Sequence, residues 1–93
     1  MGWLLVRRVV GSSMLPTLRP GRIVVGLRIE RIKQGNIVIV SHEGLEKIKR
    51  ITGIRPGEVF VIGDNQEQSK DSRQFGWLDN GKVLAKIYWP INL

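Results

Sequence analysis

The sequence predicts an all-β domain of about six or seven short, mainly antiparallel strands, and three observations carry that expectation. Short β-branched runs recur along the chain, each bounded by glycine or polar residues. Turn-forming residues separate them, with eleven Gly and four Pro in 93 residues. Helical periodicity is not sustained over about ten residues anywhere.

Leu4 to Val10, Ile23 to Leu27 and Ile37 to Val40 are the first three runs. Between the first two lies Gly-Ser-Ser-Met-Leu-Pro-Thr-Leu-Arg-Pro-Gly, a connection punctuated by two prolines and two glycines. One helical turn is expected there, around Met14 to Leu18. From Leu45 to Thr52 the chain alternates with period two. Leu45, Lys47, Lys49 and Ile51 share one face, and Glu46, Ile48, Arg50 and Thr52 take the other. A turn at Arg55-Pro56-Gly57 leads into a strand from Glu58 to Ile62, and Lys82 to Trp89 forms the last strand. Gly63 to Gly76 reads as a long polar loop, whose charges and hydroxyls favour an ordered, hydrogen-bonded path. Residues 1–93 are expected to form a single domain, since a second core would have too little chain to bury.

Composition narrows the chemistry. Hydrophobic residues make up 42% of the chain, more than a disordered tail carries. Without cysteine, disulfides and thiolate metal sites are excluded, and one histidine, His42, allows neither a Ser-His-Asp triad nor a multi-histidine zinc site. No metal or other cofactor is expected. His42 itself reads as a dispensable loop residue. The net charge of +7 invites a nucleic-acid or anionic-membrane partner. The basic residues are scattered, however, and the few aromatics are not interleaved with them, so no nucleic acid is expected. A non-enzymatic basic β-barrel that binds nucleic acid is the rival from another class. The longest early apolar stretch, Trp3 to Val6, is far shorter than the ~20 residues of a membrane span. A soluble, cytoplasmic protein is the expectation, with membrane attachment through an upstream anchor as the alternative.

A protease without a catalytic histidine or cysteine could use a serine hydroxyl as nucleophile, with lysine or a carboxylate as base. Serine is a poor nucleophile until a neighbouring base removes its proton. Lysine acts as that base only when neutral, so burial must pull its pKa down from about 10.4 at about 1.4 kcal/mol per unit. Lys49, between Ile48 and Ile51 on a strand, has such a setting. The alternation does not separate it from Lys47, which shares its face. Ser13 sits where a strand meets a tight turn, which exposes a side chain and gathers backbone N–H groups as an oxyanion hole requires.

Four ordered segments go further. They are Gly11-Ser12-Ser13-Met14-Leu15-Pro16-Thr17-Leu18; Gly35-Asn36-Ile37-Val38-Ile39-Val40; Ile48-Lys49-Arg50-Ile51-Thr52-Gly53 followed by Pro56-Gly57-Glu58; and Gly63-Asp64-Asn65, Ser69-Lys70-Asp71-Ser72-Arg73, Phe75-Gly76. Together they resemble the signal peptidase I family of serine proteases across nearly all the chain. The fold this implies is a small signal-peptidase/LexA-like catalytic β-domain. The resemblance also implies the roles. Ser13 is the nucleophile, Lys49 rather than Lys47 is the base because it precedes an arginine, and Ser69 orients the Lys49 amine. Arg50 pairs with Asp64 and Asp71 with Arg73. Val9, Met14, Leu18 and Ile48 line shallow substrate pockets. The implied partner is a precursor protein or peptide, bound as an extended strand between the segments around residues 7 to 10 and 46 to 49.

The departures are specific. Gly11 stands where some members place a serine donor, and Asn36 replaces the usual aspartate. Arg7 and Lys47 lie near pockets that are more often apolar or aromatic. The family's membrane anchor and larger accessory β-domain have no counterpart here, which leaves a minimal catalytic core. The implied function is endopeptidase removal of an N-terminal segment from a precursor. The short soluble maturation proteases associated with nickel superoxide dismutase are one version, and an anchored signal peptidase is the other, with membrane contact possible in that case. A self-cleaving repressor of the LexA type shares the dyad. It would need a DNA-binding domain and an internal cleavage site upstream of the serine.

Overall fold

The computed structural model describes residues 3–28 and 31–90. Within them a seven-stranded antiparallel sheet holds almost all the regular structure. Its strands are β1 (Leu4–Arg8), β2 (Ile23–Leu27), β3 (Ile37–His42), β4 (Leu45–Arg55), β5 (Glu58–Ile62), β6 (Leu78–Asp79) and β7 (Val83–Trp89). Across the sheet the order is β1-β2-β7-β3-β4-β5-β6. Six of the seven follow the β-branched runs. The two-residue β6, too short to carry a periodic signal, does not.

β3 explains the architecture. Its apolar run cannot alternate in from out, because both faces are covered. Ile37 and Ile39 enter one core cluster with Leu5, Val9, Met14, Leu18, Val24, Ala85 and Ile87. Val38 and Val40 point the other way, into a second cluster with Ile51, Val59, Val61 and Leu78. A strand buried on both sides reads as a continuous hydrophobic stretch, the pattern seen at residues 37–40. The sheet curls enough for Arg7 on β1 to bond Glu46 on β4, although three strands separate them in the sheet order.

Two-residue turns set the register around the central hairpins. His42 pairs with Leu45 across Glu43-Gly44, and both turn residues have positive φ (51° and 78°). That is the type I′ requirement, and glycine meets half of it without steric cost. Arg55 pairs with Glu58 across Pro56-Gly57, where the sequence places a turn.

Two local expectations are corrected. Met14 to Leu18 makes only one helix-like bond, Leu18 N–H to Met14 C=O at 2.9 Å, within a run of turns. The helix lies instead in the expected long loop, as α1 (Ser72–Phe75). Asp71 caps it by accepting from Arg73 N–H, while the Gln74 side chain accepts from Asp71 N–H. These two bonds form a capping box, and they explain a one-turn helix that propensity alone would not sustain. Among the described residues no helix is long and apolar enough to cross a membrane.

Because Ile39 is fully buried on β3, Ile39→Ala should cost about 2–5 kcal/mol through lost burial and the cavity left behind. Urea unfolding that moves the midpoint without changing the slope would register it.

Candidate active site

Period-two alternation on β4 carries Lys49 and Ile51 to the face of the second core cluster. Lys49 lies opposite Val38 in the β3–β4 ladder and is only 4% exposed. Burial lowers the pKa of its amine. The Asp71 charge acts against that shift, while Lys47 and Arg73 add to it, and the net direction is down. Lys47 diverges from its neighbour. Its amine lies 3.3 Å from His42 Nδ1 and 4.9 Å from the centre of the Phe75 ring.

A short chain of hydrogen bonds fixes the Lys49 amine. Nζ donates to Ser69 Oγ at 2.9 Å, and Ser69 Oγ donates to Asp71 Oδ2 at 2.6 Å. Since the hydroxyl spends its single proton on Asp71, it can only accept from the lysine. Asp71 is fully buried and saturated with donors. Oδ2 also accepts from Gly63 N–H (2.8 Å) and Arg73 Nη2 (3.1 Å), and Oδ1 accepts from Arg73 N–H (3.1 Å) and Nε (2.9 Å). Burial alone would raise the Asp71 pKa. The bonds from Arg73, Ser69 and the Gly63 backbone outweigh it and hold the carboxyl well below the usual carboxylate range.

A second ion pair anchors the start of the same loop. Arg50 Nε and Nη2 bond Asp64 Oδ1 and Oδ2, both at 2.8 Å, and Arg50 Nη1 reaches the Gly35 carbonyl at 2.7 Å. Thr17 also donates to Asp64. The Asp64 pKa, raised by burial, ends lowered because Arg50 and Thr17 bond the carboxylate.

The Ser13 turn is tied to that loop by backbone. Asn65 N–H donates to Ser13 C=O at 2.8 Å, and Asn65 Nδ2 donates to Ser12 C=O at 3.0 Å. Gly63 lies beneath both partners. A Cβ there would fall 2.6 Å from Ser69 Cβ and 2.7 Å from the Ser13 carbonyl oxygen. This close approach, not backbone conformation, demands glycine.

Ser13 and Lys49 line one cavity of about 560 Å³, together with Val9, Met14 and Ile48 of the sequence-derived set. Arg7, Glu46, Gln68 and Lys70 also border it. Leu18 does not. It is 2% exposed inside the first core cluster with Val9 and Met14. His42 is likewise no loop residue. It ends β3, and its ring stacks on Phe75 with centroids 3.9 Å apart. Sequence reasoning placed Thr17 and Asn65 in the motif segments but missed their bonds to Asp64 and to the Ser12–Ser13 turn, and it missed the Arg7–Glu46 contact between residues 39 apart. Gln74 did carry a signal, three residues after Asp71 ahead of a helical turn. Among the described residues no group of three or more His, Asp or Glu side chains could hold a metal ion.

Comparison with known proteins bears on this geometry. Residues 46–91 match the family described as "Signal peptidase, peptidase S26". That segment includes Lys49, Arg50, Asp64, Ser69, Asp71 and Arg73 and begins after Ser13. The Signal peptidase I of Bacillus caldolyticus is 41% identical over 49 residues, which cover 50% of this chain and 27% of that protein. Signal peptidase IB of Staphylococcus aureus, strains Mu50 and N315, is 33% identical over 70 residues, covering 64% of this chain and 35% of its own. The chain thus spans about a third or less of the length of these curated relatives.

Two outcomes follow from the Asp71 cluster. Gly63→Ala should destabilise by about 1–3 kcal/mol through overpacking, read as a lower denaturation midpoint. Because the folded-state pKa of Asp71 is depressed, its stabilisation is complete above the ordinary value near 3.9 and is lost as pH falls below it. Stability of the native protein should therefore drop on acidification from about pH 4, and Asp71→Asn should start lower and show a shallower drop, followed by thermal unfolding.

Proposed function

We propose that this chain is a serine endopeptidase of the signal peptidase I type, in which Ser13 and Lys49 form a catalytic dyad that removes an N-terminal peptide from a precursor protein. The observation that carries the reading is the Lys49 amine. Lys49 is almost wholly buried and lines the cavity that Ser13 also lines, and its amine is held by a serine that a buried carboxylate holds in turn. The similarity of residues 46–91 to the signal peptidase family supports it. On this reading residues 1–93 act as one catalytic unit.

The chemistry follows from the donor pattern. A neutral amine has two protons and one lone pair. Donating one N–H to Ser69 leaves the lone pair free to accept the Ser13 hydroxyl proton. Ser13 Oγ then attacks the scissile carbonyl carbon, and the charge that develops on the carbonyl oxygen meets the Ser13 backbone N–H. The tetrahedral intermediate collapses when the ammonium of Lys49 returns its proton to the departing amine. An acyl-serine ester remains. Water, deprotonated by the same amine, attacks that ester and frees the second product.

The substrate would lie as an added strand. β1 is the outermost strand on its side of the sheet, and β5 pairs with β4 only from Arg50 onward. Residues 7–10 and 45–49 therefore border the cavity along two open strand edges, where an extended peptide finds backbone partners on either side.

Ser13→Ala and Lys49→Ala should each abolish cleavage of a precursor peptide while circular dichroism stays near the wild-type spectrum. In the wild type, kcat/KM should climb with pH as Lys49 loses its proton. That rise should come below the ordinary lysine value near 10.4, since burial lowers the pKa. A profile flat from about pH 5 to about pH 10, or full activity in the Lys49 variant, would remove the dyad.

A further inference from the structure

The cleft floor changes chemistry along its length. On β1 and the residue that follows it, Leu5, Arg7 and Val9 share the face that turns into the first core cluster, and Arg7 lies opposite the buried Val24. On β4, Glu46 and Ile48 share the corresponding face, with Ile48 paired to Ile39. Two rungs follow. The rung nearer Ser13 is apolar, made by Val9 and Ile48 with Met14 and Ile39 beside them. Two residues farther along both strands, the rung is an ion pair. Arg7 Nε bonds Glu46 Oε1 at 2.6 Å, and Nη2 bonds Oε2 at 3.1 Å.

Two residues of strand rise roughly 6–7 Å, the same interval that separates side chains i and i+2 of an extended peptide. A peptide that rests one side chain on the apolar rung must therefore rest another on the Arg7–Glu46 pair. Both ions are 41% exposed, so water solvates them in the open cleft. Hydrocarbon laid over the pair would strip that water and give nothing back. A hydroxyl or amide would replace it, since the carboxylate keeps unused lone pairs and the guanidinium, which also bonds the Val6 carbonyl, keeps unused N–H groups. A charged side chain would meet one ion of its own sign.

We propose that Arg7 and Glu46 form a polar subsite that selects an uncharged hydrogen-bonding side chain (Ser, Thr, Asn or Gln) two residues from the one seated against Val9 and Ile48. This rests on the peptidase reading of the cleft and adds a rule of substrate choice to it.

The test uses peptides of the pattern X-Gly-Ala-Gly-X, embedded in one constant sequence, with X as Asn or as Leu. Binding is measured to the Ser13→Ala protein and hydrolysis with the wild type. The Asn peptide should bind about fivefold to tenfold more tightly than the Leu peptide, the net worth of one ordinary hydrogen bond. The order should invert when Arg7→Leu and Glu46→Leu are combined with Ser13→Ala. It should persist with the exchanged pair Arg7→Glu and Glu46→Arg, which also serves if the leucine variant does not fold. Equal affinity for both peptides, or an Asn preference that survives the leucine pair, would overturn the subsite. If peptides bind in the expected order but are never cut, the subsite stands and the peptidase reading falls. If they are cut without preference, the reverse holds. Failure to bind any peptide refutes both.

Discussion

The buried carboxylate of Asp71 is the interaction on which the rest of the site depends. A fully enclosed charge is tolerable only when its lone pairs are filled, and here five donors converge on two oxygens. Those donors are the Gly63 backbone after β5, the hydroxyl of Ser69, and both the backbone N–H and the guanidinium of Arg73. One anion thus closes the loop, caps α1 and polarises Ser69 toward Lys49. The Lys49 amine, in turn, is kept from full neutrality of environment by that same anion, whose field raises its pKa while burial lowers it. The balance leaves an amine that is reluctant to hold its proton without being isolated from all charge.

The first core cluster floors the cleft, through Val9, Met14, Ile39 and Ile48. Met14, beside Ser13, belongs to the first, whereas the strand face bearing Lys49 borders the second. β3 separates them and serves both. The loop from Gly63 to Asn65 bonds the Ser13 turn on one side and Asp71 on the other, so it sets the spacing between the two halves. With no room for a Cβ at Gly63, that spacing has little freedom.

Strands were legible where the apolar pattern was strong. The run at 37–40 and the alternation at 45–52 both became strands because burial, the quantity hydropathy reports, decides them. The alternation could place Lys47 and Lys49 on one face and no more. What separates them is tertiary: a stacked His42–Phe75 pair receives one amine and Ser69 receives the other. At Leu18 the motif position is a buried packing residue of the first core cluster, a placement that local sequence does not distinguish from lining a pocket. The 63–76 segment read as loop because its order comes from polar bonds, which leave no periodic trace.

The open edges of β1 and β4 have another consequence. An unpaired strand that can receive a peptide can also receive its own duplicate, and the β1 sequence, Leu-Leu-Val followed by two arginines, would otherwise invite edge-to-edge stacking. Arg8 on one rim and Lys47 on the other, beside the mutually neutralised Arg7–Glu46 pair, give every molecule the same sign at the same place. Two copies approaching rim to rim repel each other, so the openness that admits a guest need not become a seed for fibres.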